Sequence, residues 1–409
     1  MAVLIGFLAL TLLCAVMPVR LSRVRTFWGA CCVVLLSVLA MILRYLCMDF
    51  VSADYTLFLS QWVDFFRRLG GFAALGRPVG NYNIPYLYFL AAFSYLDMSD
   101  LYLIKLLSIL FDVFLAYAAM RLLRHFTDST AKLLGVYFTV LLLPTVILNG
   151  ALWGQCDSIY TAFAVLSVAL ALEDRPVPAM ISIAVSFAFK LQAVFVMPVF
   201  FLLVCSGRIR WDQLTIFPLT YLILILPAVL LGRPLADTVL LYVNQGSTVG
   251  SGANYNSSSI FAFFRDASPA LMRAGIIAAF VLVFLVYLLV LLRRRAGDPA
   301  VILTATMIFA LGIPFLLPHM HDRYFFPADV ISVVYAFAVP WRFAMPCLVS
   351  FGSLLGYHAF LRMRYLLPMR YGAMGFAVVL VVLLVDLCVR IFSSETPRPV
   401  LSDEDLSSP

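Results

Sequence analysis

The sequence predicts an all-α polytopic membrane protein of about 11–13 transmembrane helices. Three observations carry that expectation. Hydrophobic residues make up 64% of the chain and charged ones only 12%, with a mean hydropathy of +1.03, whereas soluble domains are apolar in nearer about half of their residues. Most apolar runs approach the roughly 20 residues a helix needs to cross a hydrocarbon core, and none shows the roughly ten-residue alternation of an outer-membrane barrel. The net charge of +7 sits in short clusters between apolar runs, which fits membrane topology and points to no nucleic-acid partner. Eight cysteines fall mostly inside apolar runs without metal-ligand spacing, as small buried hydrophobes do.

Taken in order, residues 1–17 form an apolar run with no basic flank before it, followed by Pro18 and the patch Arg20, Arg23, Arg25. The run reads as a first helix with its N-terminus outside, and the patch as cytoplasmic. A second helix, 27–48, leads to a long first outer loop, 49–100. Two aromatic-rich patches in that loop, 55–66 and 85–96, are too short to span comfortably and suit helices lying in the interface. If the second only dips in, the span 101–120 delivers Arg121, Arg124 and Lys132 to the cytoplasm, where basic residues belong.

Residues 133–150 then rise outward, ALWGQCDSIY turns at the outer surface, and 157–172 returns to the inner loop EDRPVP. The run 179–205 is interrupted by Lys190 and Gln192. As one helix it would put Arg208, Arg210 and the triple Arg293, Arg294, Arg295 outside; broken near Lys190, it keeps all five inside. A helix at 214–231 reaches a second outer segment, 233–273, rich in Gly, Ser and Asn; 276–292 descends and 301–317 ascends. Three more spans follow, near 325–340, 343–361 and 372–389, and leave Arg362, Arg364 and Arg370 outside, against the charge rule. Residues 1–393 thus form one membrane domain, and the polar, acidic stretch 394–409 reads as a disordered cytoplasmic tail.

This topology gathers the polar residues on one side. Arg44 with Asp49 and Asp54, the turn with Trp153, Gln155 and Asp157, Lys190 with Gln192, the segment holding Asn244, Gln245 and Asn254, and the run His319, His321, Asp322, Arg323, Tyr324 all face outward. Two of the four histidines lie in that last run, at the edge of an apolar stretch. Ionisable groups there are costly unless they face water, protein or a polar ligand, so they are functional candidates. Each also has a plainer role open to it. Asp54 can cap a helix or pair with Arg44, Arg323 can pair with Asp322, and Lys190 can snorkel to the interface.

The order of motifs DFVSADYTLFLSQW after an arginine, GNYNIPYLYF, WGQCDSIY, FKLQ, NQG with ANYN, and HMHDRYFFP resembles the GT-C superfamily of integral-membrane glycosyltransferases. Within it the chain is most similar to the bacterial group related to GPI-anchor mannosyltransferases. The resemblance runs along nearly the whole chain and implies a hexose, mannose-like, moved from a polyprenyl-phosphate sugar to an acceptor hydroxyl on a glycan, lipid or protein, with inversion. It implies a multi-pass protein of a bacterial cytoplasmic membrane with its site facing outside.

By position, Asp54 matches the family's loop-one acid and would be the base, with Asp49 as second candidate and Tyr55 shaping the site. Arg44, Lys190, His319, His321 and Arg323 would meet the donor phosphate. Trp153, Gln155, Asp157, Gln192, Asn244, Gln245, Asn254, Asp322 and Tyr324 would line the sugar and acceptor. Many members carry Glu where Asp322 stands. No metal site is assigned; the one cofactor alternative is a divalent cation, Mg or Mn, gathered by His319, His321 and Asp322. The competing classes are a transporter or lipid-linked sugar flippase, which would use broken helices such as the one at Lys190, and a non-catalytic scaffold.

Overall fold

The computed structural model describes residues 1–22, 24–246 and 250–393. Arg23, the side chain of Gln245, residues 247–249 and the expected tail 394–409 lie outside the described residues.

Two antiparallel helices open the chain, α1 (Ala2–Ser22) and α2 (Phe27–Tyr45), the second capped by the Thr26 hydroxyl. The first long loop holds a π-helical turn (Tyr55–Leu59), α3 (Ser60–Arg68) and α4 (Ile84–Phe93). Next come α5 (Asp100–Leu123), α6 (Thr130–Leu142), the short α7 (Pro144–Ile147) and a second π-helical turn (Leu148–Trp153). The middle of the chain is α8 (Asp157–Leu172), α9 (Pro176–Phe189), α10 (Val199–Cys205), α11 (Ile216–Leu230), α12 (Leu235–Val239) and α13 (Leu241–Gly246). It closes with α14 (Pro269–Leu292), α15 (Pro299–Leu316), α16 (Phe326–Ala338), α17 (Ala344–Leu361) and α18 (Arg370–Phe392). Among the described residues the only strands are β1 (Asn254–Tyr255) and β2 (Met320–His321), paired in parallel.

Helix starts follow from the sequence. Ser268 and Asp298 each accept a backbone N–H of the turn they open, and Pro269 and Pro299 follow them at the first helical position, where a missing N–H costs nothing.

Among the described residues eight helices are long and apolar enough to cross a membrane, nine if the bent pair formed by α6 and the segment Pro144–Trp153 is one span. The protein is therefore a multi-pass, all-α membrane protein. That number is below the expected 11–13 because α8, α9 and α16, of 13–16 residues, run between the same two ends but are shorter than a full span. Burial sorts the layers: 83% of the apolar window of α15 is buried against 17% of the window reaching through α11, so α15 sits inside and α11 faces lipid.

One end of the bundle collects basic residues. Arg121 holds Glu173 through two hydrogen bonds, Arg208 binds Asp174 and the Leu172 carbonyl and reaches the Gly297 carbonyl, and Arg295 donates to the Ser393 carbonyl. Arg208 and Asp174 can meet only if the chain between them goes out and returns. The break at Lys190, where the backbone is extended (φ −156°, ψ 136°), makes that return.

The opposite end carries loop one, the WGQCD turn, the strands and residues 362–370. Tyr365 hydroxyl donates to Asn256 there, so Arg362, Arg364 and Arg370 do share an end with the site, and all three are exposed. The patch expected to lie in the interface does so only in part. In α3, Trp62, Val63 and Phe66 face inward and Arg67 and Arg68 outward, whereas α4 dips into the bundle, with Tyr88 donating to the Leu224 carbonyl and Phe89 against Phe111 and Phe189.

Candidate functional site

Loop one is fastened before it reaches Asp54. The buried Lys105 ammonium on α5 donates to the carbonyls of Cys47, Met48 and Phe50 at 2.7–2.9 Å, using its three N–H groups on backbone. Ser52 then donates to the Trp153 carbonyl at 2.8 Å. Asp54 follows at the head of the π-helical turn, facing the end of the other one.

The WGQCD turn is built to meet it. Gly150 lies so close to α5 that a Cβ would sit 3.1 Å from Asp112 Oδ1, and Gly154 ends the π turn at φ 81°, a left-handed conformation that glycine adopts without strain. Trp153 Nε1 donates to Asp54 Oδ2 at 2.9 Å, and Gln155 Nε2 donates to the same oxygen. The Trp153 ring stacks on Phe360 with centroids 4.5 Å apart. Tyr82 in turn donates to Gln155 Oε1 at 3.2 Å, which orients the amide.

Asp157 heads α8 and is 1% exposed. It accepts Asn149 Nδ2 at 2.8 Å and pairs with Lys190 from the helix break, whose ammonium also lies 5.7 Å over the Tyr82 ring. Lys190 is thereby spoken for by a carboxylate.

Arg323 is different. Its side chain is 17% exposed and stands over the Trp153 ring, 5.2 Å from the centroid. Nη1 is 3.8 Å from Asp54 Oδ2 and 3.6 Å from Asp322 Oδ1, and Nε is 3.8 Å from Asp157 Oδ2. These are attractions across distances longer than the 2.7–3.2 Å of a closed N–H···O bond, and Arg323 Nε and Asp322 Oδ1 have no hydrogen-bond partner among the described residues. The guanidinium is surrounded by charge yet keeps donors to give.

The two ionisable neighbours are tuned by burial. Asp322 is pushed up to about 7, by burial first, with Asp54 and Asp157 adding to the effect and Arg323 opposing it. His321 is pushed down to about 4, by burial first and then by Arg323, Lys190 and His319, so at neutral pH it is an uncharged imidazole, stacked on Tyr255 at 4.7 Å. His319 Nδ1 meets the Gly252 carbonyl at 2.7 Å, and the backbone N–H of His319 donates to the Ala253 carbonyl at 2.8 Å. Its part is to fix the second loop against the site.

Of the expected residues, Asp54, Trp153, Gln155, Asp157, Lys190, Asp322 and Arg323 come together, with His321 and Tyr324 beside them, their rings 5.1 Å apart. Gln192 is buried just past the break with Oε1 unpartnered. The others lie apart. Arg44 is fully buried: Nε donates to Asp112 at 2.9 Å, Nη2 to the Leu141 carbonyl at 2.9 Å and Nη1 to the Ala40 carbonyl at 3.1 Å, so it offers nothing to a phosphate. The expectation for Arg44 fails because its partner, Asp112, sits on another helix. Asp49 is exposed and accepts from Tyr102 at 2.8 Å; Tyr55 turns toward the Leu101 backbone; Asn244 is exposed on α13; Asn254 closes a turn with Ser257. Gln245 has no described side chain.

Three residues were not singled out from the sequence: Tyr82, Asn149 and Phe360. Asn149 carried a signal, a polar side chain inside an apolar run; Tyr82 lay unassigned within GNYN; Phe360 looked like any lipid-facing aromatic. Among the described residues no three His, Cys, Asp or Glu side chains gather as a metal-ligand set. Asp54, Asp157 and Asp322 are spread around the Arg323 guanidinium, and His319, His321 and Asp322 form no such set among the described residues.

No protein-family model matches the chain, and no curated protein does. The functional reading therefore rests on the site.

Proposed function

We propose that the chain is an integral-membrane glycosyltransferase similar to the GT-C superfamily, moving a mannose-like hexose from a polyprenyl-phosphate donor to an acceptor hydroxyl. The observation that carries this reading is the pairing of an oriented, partly exposed carboxylate, Asp54, with the under-coordinated guanidinium of Arg323 at one end of a membrane bundle.

Both donors reach Asp54 Oδ2, which leaves Oδ1 as the atom that takes the proton of the acceptor hydroxyl. The hydroxyl oxygen attacks the anomeric carbon, the bond from that carbon to the phosphate oxygen breaks, and its electron pair leaves with the lipid phosphate. Arg323 exchanges its long carboxylate contacts for short charge-assisted bonds to that phosphate. The imidazole of His321 bounds the sugar, while the buried Trp153 ring, between Phe360 and Arg323, holds the charged pair in place. A general base contributes about 10²–10⁴-fold, and a charged clamp about 10²–10³-fold. The clustering of arginines at the other end supports placing that end in the cytoplasm and the site outside.

The test is sugar transfer by the purified protein from polyprenyl-phosphate hexoses. Asp54→Asn keeps the shape of the side chain and is expected to cut transfer about 10²–10⁴-fold with thermal stability unchanged. Undiminished turnover in that variant sinks the base assignment.

A further inference from the structure

A second polar cluster lies behind the site and takes no part in the chemistry above. Asp329, in the first turn of α16, is fully buried, and neither carboxylate oxygen closes a hydrogen bond among the described residues. The hydroxyls facing it are those of Ser353 on α17 and Thr145 on α7, each at most 2% exposed and close enough to act on its carboxyl, but not in the short, aligned geometry of a closed hydrogen bond to it or to any other group among the described residues. Among the described residues no Lys, Arg or His forms an ion pair with Asp329.

Several other helical hydroxyls behave differently, although those of Thr161 and Ser350 are also unpartnered among the described residues. Ser22, Ser37, Thr304 and Thr306 each donate to the carbonyl four residues back, at 2.7 Å. Ser353 and Thr145 forgo that bond and present their oxygens to a carboxylate. Three helices thus bring four oxygens with one formal negative charge together in an apolar interior. An ionised carboxylate left there alone is strongly destabilising, while hard cations favour such oxygen sets. One carboxylate among neutral hydroxyls balances one positive charge, which excludes a divalent ion on charge.

We propose that Asp329, Thr145 and Ser353 form a binding site for a monovalent cation of sodium's size. It would tie α7, α16 and α17 together behind the site. Tyr357 lies within electrostatic reach of Asp329, and its hydroxyl accepts from Asn149, the residue that also holds Asp157.

The experiment is equilibrium binding of radioactive sodium to the full chain in nanodiscs, beside thermal unfolding in sodium or choline chloride at equal ionic strength. Wild type is expected to bind saturably at a single site and to unfold a few degrees higher in sodium. Asp329→Asn, isosteric with a protonated carboxyl, is expected to lose both effects, and Ser353→Ala to weaken sodium binding about ten-fold or more. Thr145→Val repeats the test should Asp329→Asn not fold. No saturable binding by wild type, or equal binding by Asp329→Asn, overturns the proposal and leaves a proton on Asp329 as the neutralising charge.

Discussion

Arg44 and Arg323 are both arginines at the mercy of an apolar surrounding, and both were expected to meet phosphate, yet they are opposite kinds of residue. Arg44 spends its guanidinium on one carboxylate and two carbonyls within 3.1 Å, and neither it nor Asp112 has any exposed side-chain surface. Arg323 faces three carboxylates, none nearer than 3.6 Å, with 17% of its side chain open. A saturated cation is a fastener; an unsaturated one, held near charges it does not fully bond, is ready for a ligand. Distance and saturation separate the two roles where residue type does not.

The contrast can be broken by mutation. Arg44→Ala leaves Asp112 buried without its cation and is expected to cost about 3–5 kcal/mol, lowering the thermal midpoint sharply, while Arg44→Met with Asp112→Leu recovers most of it. Thermal unfolding of purified protein checks both. Arg323→Ala is expected to retain the fold and lose about 10²–10³-fold in transfer, with Arg323→Lys only partly restoring it because an ammonium cannot give the planar fork. If Arg323→Ala unfolds as readily as Arg44→Ala, the two arginines are not different in kind.

Acidity sharpens the comparison further. Asp322 is neutral below about 7 and adds a negative charge beside Arg323 above it. The Michaelis constant for an anionic donor is therefore expected to rise as pH passes upward through about 7 in wild type and to stay flat in Asp322→Asn. The same raised value means the folded state keeps a proton that the unfolded chain has released. The stability Asp322 contributes is fully present below about 4 and falls as pH rises toward 7. The smallest effect belongs to the surface. Arg68→Ala removes an exposed pair with Asp64 and is expected to change stability by no more than about 1 kcal/mol.

Much of the site was legible in the chain because topology is written in charge. The arginines of 208–210 and 293–295 demanded a break near Lys190, and once the break is granted, Asp157, Lys190 and Arg323 must share an end. What could not be read was which acid each cation would choose. Arg44 stands five residues from Asp49 and ten from Asp54, but its partner is 68 residues away on a neighbouring helix. Likewise Lys105 reads as an isolated intramembrane charge until the chain folds and three backbone carbonyls close around it. Sequence spacing reports neighbours along one helix; lateral packing decides the rest.

The two π-helical turns, Tyr55–Leu59 and Leu148–Trp153, stand at either side of the Asp54 to Trp153 hydrogen bond. Each such turn holds one residue more than an α-helix needs. Deleting a single residue from Leu148–Trp153 would let the segment close in α-helical register with its flanks nearly where they stand, and would remove the bulge that carries the Asn149 amide and the Trp153 indole to Asp157 and Asp54. The spare residue is slack built into the backbone: it is taken up at the two places that flank the Asp54 to Trp153 contact, while the helices on either side keep their own register.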